Sequence, residues 1–141
     1  MSVGEGVNRS RLELDTDERF VPLRRELEVT SFGLNQINLQ PGQRGRIHRH
    51  LNQEEVYIVL RGELTLGIEG EEEALPEGSA IRVGPEVRRQ LSNRSSEPVV
   101  LLALGGDGEH QGRDGEAFTD WDATEGAPPQ EVPLPEDLPA G

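Results

Sequence analysis

Between residues 28 and 104 the apolar side chains recur with a period of two rather than 3.6, in short runs separated by Gly, Pro and Asn. The runs cover roughly Glu28–Leu39, Arg46–His50, Glu55–Leu60, Glu63–Ile68, Ala80–Val83, Arg88–Leu91 and Pro98–Leu104. Turn signals punctuate them at Pro41-Gly42, Arg61-Gly62, Glu69-Gly70, Pro76-Glu77-Gly78, Gly84-Pro85 and Asn93 to Ser96. Successive side chains on a strand face opposite sides, so each run can bury one face and leave the other to solvent. Many short strands at this spacing predict an all-β fold, an antiparallel double-sheet sandwich or small barrel. No segment carries a helical stripe, and no repeat exists beyond the strand-turn rhythm. With 33% hydrophobic and 4% aromatic residues, the core must be small and built mostly from Val, Leu and Ile.

Charge divides the chain. Of 141 residues, 27 are acidic and 14 basic, all 14 of them Arg, for a net charge of -13. Residues 107–141 hold ten of the acids and one base, Arg113, together with five of the ten prolines. Such a composition buries too little apolar surface to offset chain entropy, so it reads as an acidic Pro/Gly-rich tail. Its Phe118, Trp121, Val132, Leu134 and Leu138 are able to dock on the domain. Residues 1–18 read as a flexible N-terminal segment, which leaves 19–106 as the single folded domain. Lacking Cys, the chain has no disulfide framework, thiolate zinc site or cysteine nucleophile. The longest apolar run, Pro98 to Leu104, is far too short for a membrane span, and no signal peptide is evident, so the reading is cytoplasmic. The negative charge argues against nucleic acid or an anionic membrane as partner.

Two of the three histidines form the pair His48-x-His50. On a strand, residues i and i+2 share a face, roughly 7 Å apart, so the two imidazoles can converge on one ion. Glu55 opens the next strand after a short polar turn and can fold back beside them. Two His and one carboxylate around an open face is the donor set of non-haem iron and of several zinc and manganese sites. A surface or interior histidine pair gives the same spacing.

The framing of the pair is more specific. Gly42, five residues, His48-x-His50, four residues, Glu55, six residues and Gly62 reproduce the first motif of the cupin family, and PGQRGRIHRHLNQEEVYIVLRGEL resembles its first conserved segment at every fixed position. The second motif is eroded: counted from Gly78, its Pro, Gly, His and Asn positions hold Gly84, Glu86, Arg89 and Asn93. The resemblance covers about residues 28–104. It implies a cupin (jelly-roll) β-barrel of two packed antiparallel sheets, a divalent ion (iron, manganese, zinc or nickel) on His48, His50 and Glu55, a small-molecule ligand, and a homodimer. The apolar outward residues Val56, Ile58 and Leu60 agree with the last.

Arg89 stands where the family usually places its fourth ligand, a histidine. Strand parity puts it on one face with Leu91 and Asn93. A guanidinium cannot be deprotonated and cannot ligate a metal. Facing a divalent cation about 4 Å away it costs on the order of 8 kcal/mol at an effective dielectric near 20. Two arrangements follow. Arg89 pairs with Glu55 and replaces the metal, giving a non-catalytic binding module; or its stem carries the charge to the pocket mouth to meet a carboxylate or enolate, leaving a three-ligand centre of oxygenase or isomerase type. Tyr57 shares the inward parity of Glu55 and offers a phenol to a ligand, or is a core residue. Arg44 and Arg46 ring the mouth or line a solvated edge. Glu54 has the wrong parity, Glu71–Glu73 form a polar hairpin edge, and His110 reads as exposed. No catalytic residue is identifiable.

Overall fold

In a computed structural model of the chain, residues 6–106 and 114–139 are described. The elements in order are β1 (Phe20–Val21), α1 (Leu23–Leu27), β2 (Gly33–Leu39), β3 (Ile47–His50), β4 (Glu54–Arg61), β5 (Leu64–Ile68), β6 (Glu71–Leu75), β7 (Ala80–Val83), β8 (Arg89–Ser92), β9 (Val99–Gly106), β10 (Gly115–Phe118) and a 3-10 turn (Pro129–Glu131). Two five-stranded antiparallel sheets result, ordered β1-β2-β9-β4-β7 and β10-β3-β8-β5-β6. They face one another as a jelly-roll sandwich, as the two-residue period predicts.

Alternation puts Tyr57 and Val59 of β4, Leu64 and Leu66 of β5, and Val99, Leu101 and Ala103 of β9 into one core with Leu39, Val83 and Leu91. Tyr57 is inward, as its parity requires, and 1% exposed. Gly62 turns β4 into β5 with φ +79, and a Cβ there would lie 2.4 Å from the Pro98 carbonyl oxygen. The motif glycine therefore answers both a left-handed backbone and a close chain approach.

Two elements, α1 and β10, differ from the sequence reading, and a third, β6, extends the polar hairpin edge read at Glu71–Glu73. The first run begins as a strand only at Gly33, and ahead of it Leu23–Leu27 form a helix of five residues, closed by Glu28 at φ 58. A helix that short shows no stripe. Residues 71–75 form an edge strand, β6, despite three consecutive acids, since only their backbone pairs with β5. β10 lies inside the acidic segment.

Beyond 113 that segment lies on the sandwich. β10 pairs with β3 through Gly115↔His50, Glu116↔Arg49, Ala117↔His48 and Phe118↔Ile47. Phe118 and Val132 are buried. Farther on, the Leu138 amide donates to the Gly42 carbonyl, and Arg44 and Arg46 donate to the carbonyls of Glu136 and Val132. Upstream of β1, the segment is tied along the outer face of β2, where the buried Gln36 amide exchanges hydrogen bonds with the Glu13 backbone and Asn38 donates to the Glu18 carbonyl. His110 lies outside the described residues. Among those described, no helix is long and apolar enough to cross a membrane.

Candidate metal centre

β3 carries His48 and His50 side by side, and their rings sit at 5.4 Å between centroids, nearly perpendicular. Glu55, the second residue of β4, comes in from the facing sheet. Its Oε1 lies 3.7 Å from His48 Nε2 and 3.6 Å from His50 Nε2. One ligand atom from each of the three residues falls within 4.8 Å of the others. Ligands at about 2.1 Å from a common tetrahedral ion stand about 3.4 Å apart, so this spacing suits one divalent ion with modest contraction.

The surroundings orient the donors. His48 Nδ1 is 3.2 Å from the Arg46 carbonyl oxygen, which can only accept, so Nδ1 carries a proton and Nε2 is the nitrogen turned toward Glu55. His50 Nδ1 is buried without a hydrogen bond and faces Asp114 Oδ2 at 3.9 Å. Asp114 accepts from the backbone amides of Asn52 and Gln53, which fixes the turn between β3 and β4. Burial opposes the Asp114 charge, but those bonds prevail and hold its carboxyl below the usual value. Burial also opposes ionisation of Glu55; the two facing imidazoles outweigh it and keep the carboxyl well below the carboxylate range. The two imidazole Nε2 atoms and the Glu55 carboxylate thus face one space that one divalent ion would suit.

Arg89 stands behind Glu55. It pairs in register with His48, is fully buried, and places NH1 3.6 Å from the same Oε1. Its NH2 donates to the Gly84 carbonyl at 2.8 Å, while Nε and NH1 make no hydrogen bond. The stem does not reach the mouth of the cavity. Tyr57 is also behind Glu55, to which its hydroxyl donates. Burial first, then the Glu55 charge, push that phenol well above its ordinary value, so it stays protonated and donates. Glu54 points away, paired with Arg82.

A cavity of about 640 Å³ opens over His48, His50 and Glu55, walled by Ile37, Leu39, Leu91 and Ala103. Neither Arg89 nor Tyr57 lines it, whereas Arg46 does, joined by Arg19, Arg24 and Arg25 from the chain around β1 and α1. No local pattern marks these last three in the sequence, nor Asp114 and the buried Gln53. β10 lies among acids and glycines, where the composition reads as a tail.

A double-sheet jelly roll with two imidazoles and a carboxylate converging inside it defines a class of small β-barrel proteins built around an internal ligand or metal site. A family profile described as Cupin domain matches residues 35–105, and the chain belongs to that family. Among solved structures, a cupin protein from Bacteroides fragilis is 24% identical with a TM-score of 0.67, over 86% of this chain and 98% of its own. A sugar phosphate isomerase of the cupin superfamily from Silicibacter pomeroyi is 21% identical with a TM-score of 0.64, over 82% and 79%. A protein from Thermus thermophilus is 25% identical with a TM-score of 0.57, over 62% and 81%. No curated protein matches.

Proposed function

We propose that the chain binds a small anionic molecule in the cavity, over a divalent ion held by His48, His50 and Glu55, and acts on it as a cupin enzyme of isomerase or oxygenase type. The observation that carries this reading is the convergence of Nε2, Nε2 and Oε1 on one point at the floor of an open cavity. An ion held there would supply a Lewis acid to a ligand oxygen. The residues do the rest. Arg46 and Asp114 hold the imidazoles in register, Tyr57 steadies Glu55 from behind by a hydrogen bond, Arg89 sets a positive charge behind that carboxylate, and the aliphatic wall lines the ligand space. In this reading Tyr57 serves the ligand through Glu55, and Arg89 tempers the charge of the ion that Glu55 would hold. The cupin-superfamily neighbour described as a sugar phosphate isomerase supports an anionic substrate on this fold.

One observation favours a second reading, a metal-free binding module: Arg89 NH1 is already 3.6 Å from the carboxylate oxygen that a metal would take. Elemental analysis of untagged protein purified without chelators separates the two. Near-stoichiometric iron, manganese, zinc or nickel, lost in His50→Ala, is the expected result. A protein that is metal-free and refuses all four added ions overturns the metal centre and leaves Arg89 as the permanent counter-ion of Glu55.

A further inference from the structure

We infer that the rim of this cavity is a phosphoryl-binding site, in which Arg19, Arg24, Arg25 and Arg46 hold the phosphate of a small phosphorylated ligand whose other end lies over His48, His50 and Glu55. The inference rests on the reading of the cavity as the ligand site and names the class of ligand.

In a chain with 27 acids for 14 arginines, carboxylate partners are plentiful. Arg49, Arg61, Arg82 and Arg94 each take one, at distances of 2.5 to 3.2 Å. The four rim arginines have no carboxylate partner among the described residues. Their bonds to protein go to neutral carbonyls instead: Arg19 to Arg44 at 3.0 Å, Arg24 to Val29 at 3.1 Å, and Arg46 to Val132. Each of those bonds uses one nitrogen and leaves the remainder of the planar fork free.

The one carboxylate in the cavity lining is Glu55, and His48, His50 and Arg89 already surround it within 3.7 Å. Four arginines thus line one concave surface, and none of them is paired with a carboxylate among the described residues. Such a cluster is a focus of positive potential inside an acidic molecule. A single carboxylate offers two oxygens and one charge, enough for one or two guanidinium forks. A phosphate monoester brings three terminal oxygens and about -1.5 to -2 charge at pH 7, which matches the larger number of donors. The cavity of about 640 Å³ also lies within the range of small-molecule sites, roughly 300 to 1,000 Å³.

The test is calorimetric titration with glycerol 3-phosphate, with glycerol and malonate as controls, on the parent protein, on Arg24→Gln/Arg25→Gln and on His50→Ala. Arg25→Gln alone, at an exposed position, is included so that an effect is read on a fold shown intact by circular dichroism. Saturable binding of glycerol 3-phosphate is expected, absent for glycerol, and weakened at least about tenfold in the double variant and severalfold in Arg25→Gln. His50→Ala, which removes the metal centre, should keep the phosphoryl affinity within a few fold. No saturable binding at millimolar concentration, equal binding by parent and double variant, or malonate binding as tightly overturns the inference. Rim-dependent binding by a metal-free protein sustains it while removing the metal centre; a metal-bound protein whose affinity ignores the arginines does the reverse.

Discussion

Arg89 sits on β8 directly across from His48 on β3, with NH1 3.6 Å from the Glu55 oxygen that both imidazoles face. A divalent ion on that oxygen would stand about 5 Å from the guanidinium, a repulsion of about 7 kcal/mol at an effective dielectric near 20. Binding free energies of good structural zinc sites run roughly 10 to 16 kcal/mol, so Arg89 weakens such a site without abolishing it. Two of its three nitrogens also lack hydrogen bonds, and unmade bonds in the interior are costly. Arg89→Met keeps the stem and removes the charge. It should bind zinc or manganese at least about a hundredfold more tightly in chelator competition, with a melting temperature within several degrees of the parent. A variant that binds metal more weakly would mean that the guanidinium positions Glu55 as a ligand. At this scale the sequence carried half of the site. His48, His50 and Glu55 were legible because strand parity and a short turn are local. Arg46 was legible as one of two readings, while Asp114, Arg19, Arg24 and Arg25 were not, because only tertiary packing brings them to the cavity.

Among elements, β5 and the chain after β10 are closely fitted. Gly67 faces outward from β5, and a Cβ there would lie 2.9 Å from Trp121 Cζ2. The indole is seated by Arg88, which donates to the carbonyls of Trp121 and Ala123 and stacks 3.6 Å above the Phe118 ring. Strand propensity alone says that Gly67→Ala should stabilise β5, since glycine weakens a strand interior. The fit says the opposite: the methyl group displaces the indole into solvent. Trp121 is the single Trp of the chain, so its emission reports the outcome directly. Gly67→Ala should shift that emission to the red and lower stability by about 1 kcal/mol in urea unfolding. An unshifted spectrum with raised stability would mean that the segment adjusts freely over the sheet. The strand rhythm between 28 and 104 was readable because both faces of each strand have distinct solvents. β10 was not, since an edge strand laid on by backbone bonds and capped by arginines needs little apolar pattern of its own.

For the molecule as a whole, the core and the candidate site depend on different parts of the chain. The main core cluster draws on residues from Leu39 to Ala103, while Ala117, Phe118 and Val132 are buried outside it. The strand bearing both histidines depends on the chain past β9. β3 meets β8 through the single register pair His48↔Arg89, and meets β10 along its entire length through four. The turn that brings Glu55 back to the histidines is likewise fixed from beyond β9, by the Asp114 carboxylate on the amides of Asn52 and Gln53 and the Asp114 carbonyl on that of Leu51. A chain ending at Arg113 should therefore fold, with a melting temperature lower by roughly 5 °C or more. Its metal affinity should fall at least about tenfold, because the partners that orient the ligands are gone. It should also self-associate with rising concentration, since β3 becomes an unpaired edge with its amides open to another strand. Calorimetry, chelator competition and sedimentation on the full and shortened chains measure the three effects. If all three match the full chain, residues 114–139 rest on the barrel without supporting it. Loss of stability with metal affinity intact would place the support of β3 in β8 alone.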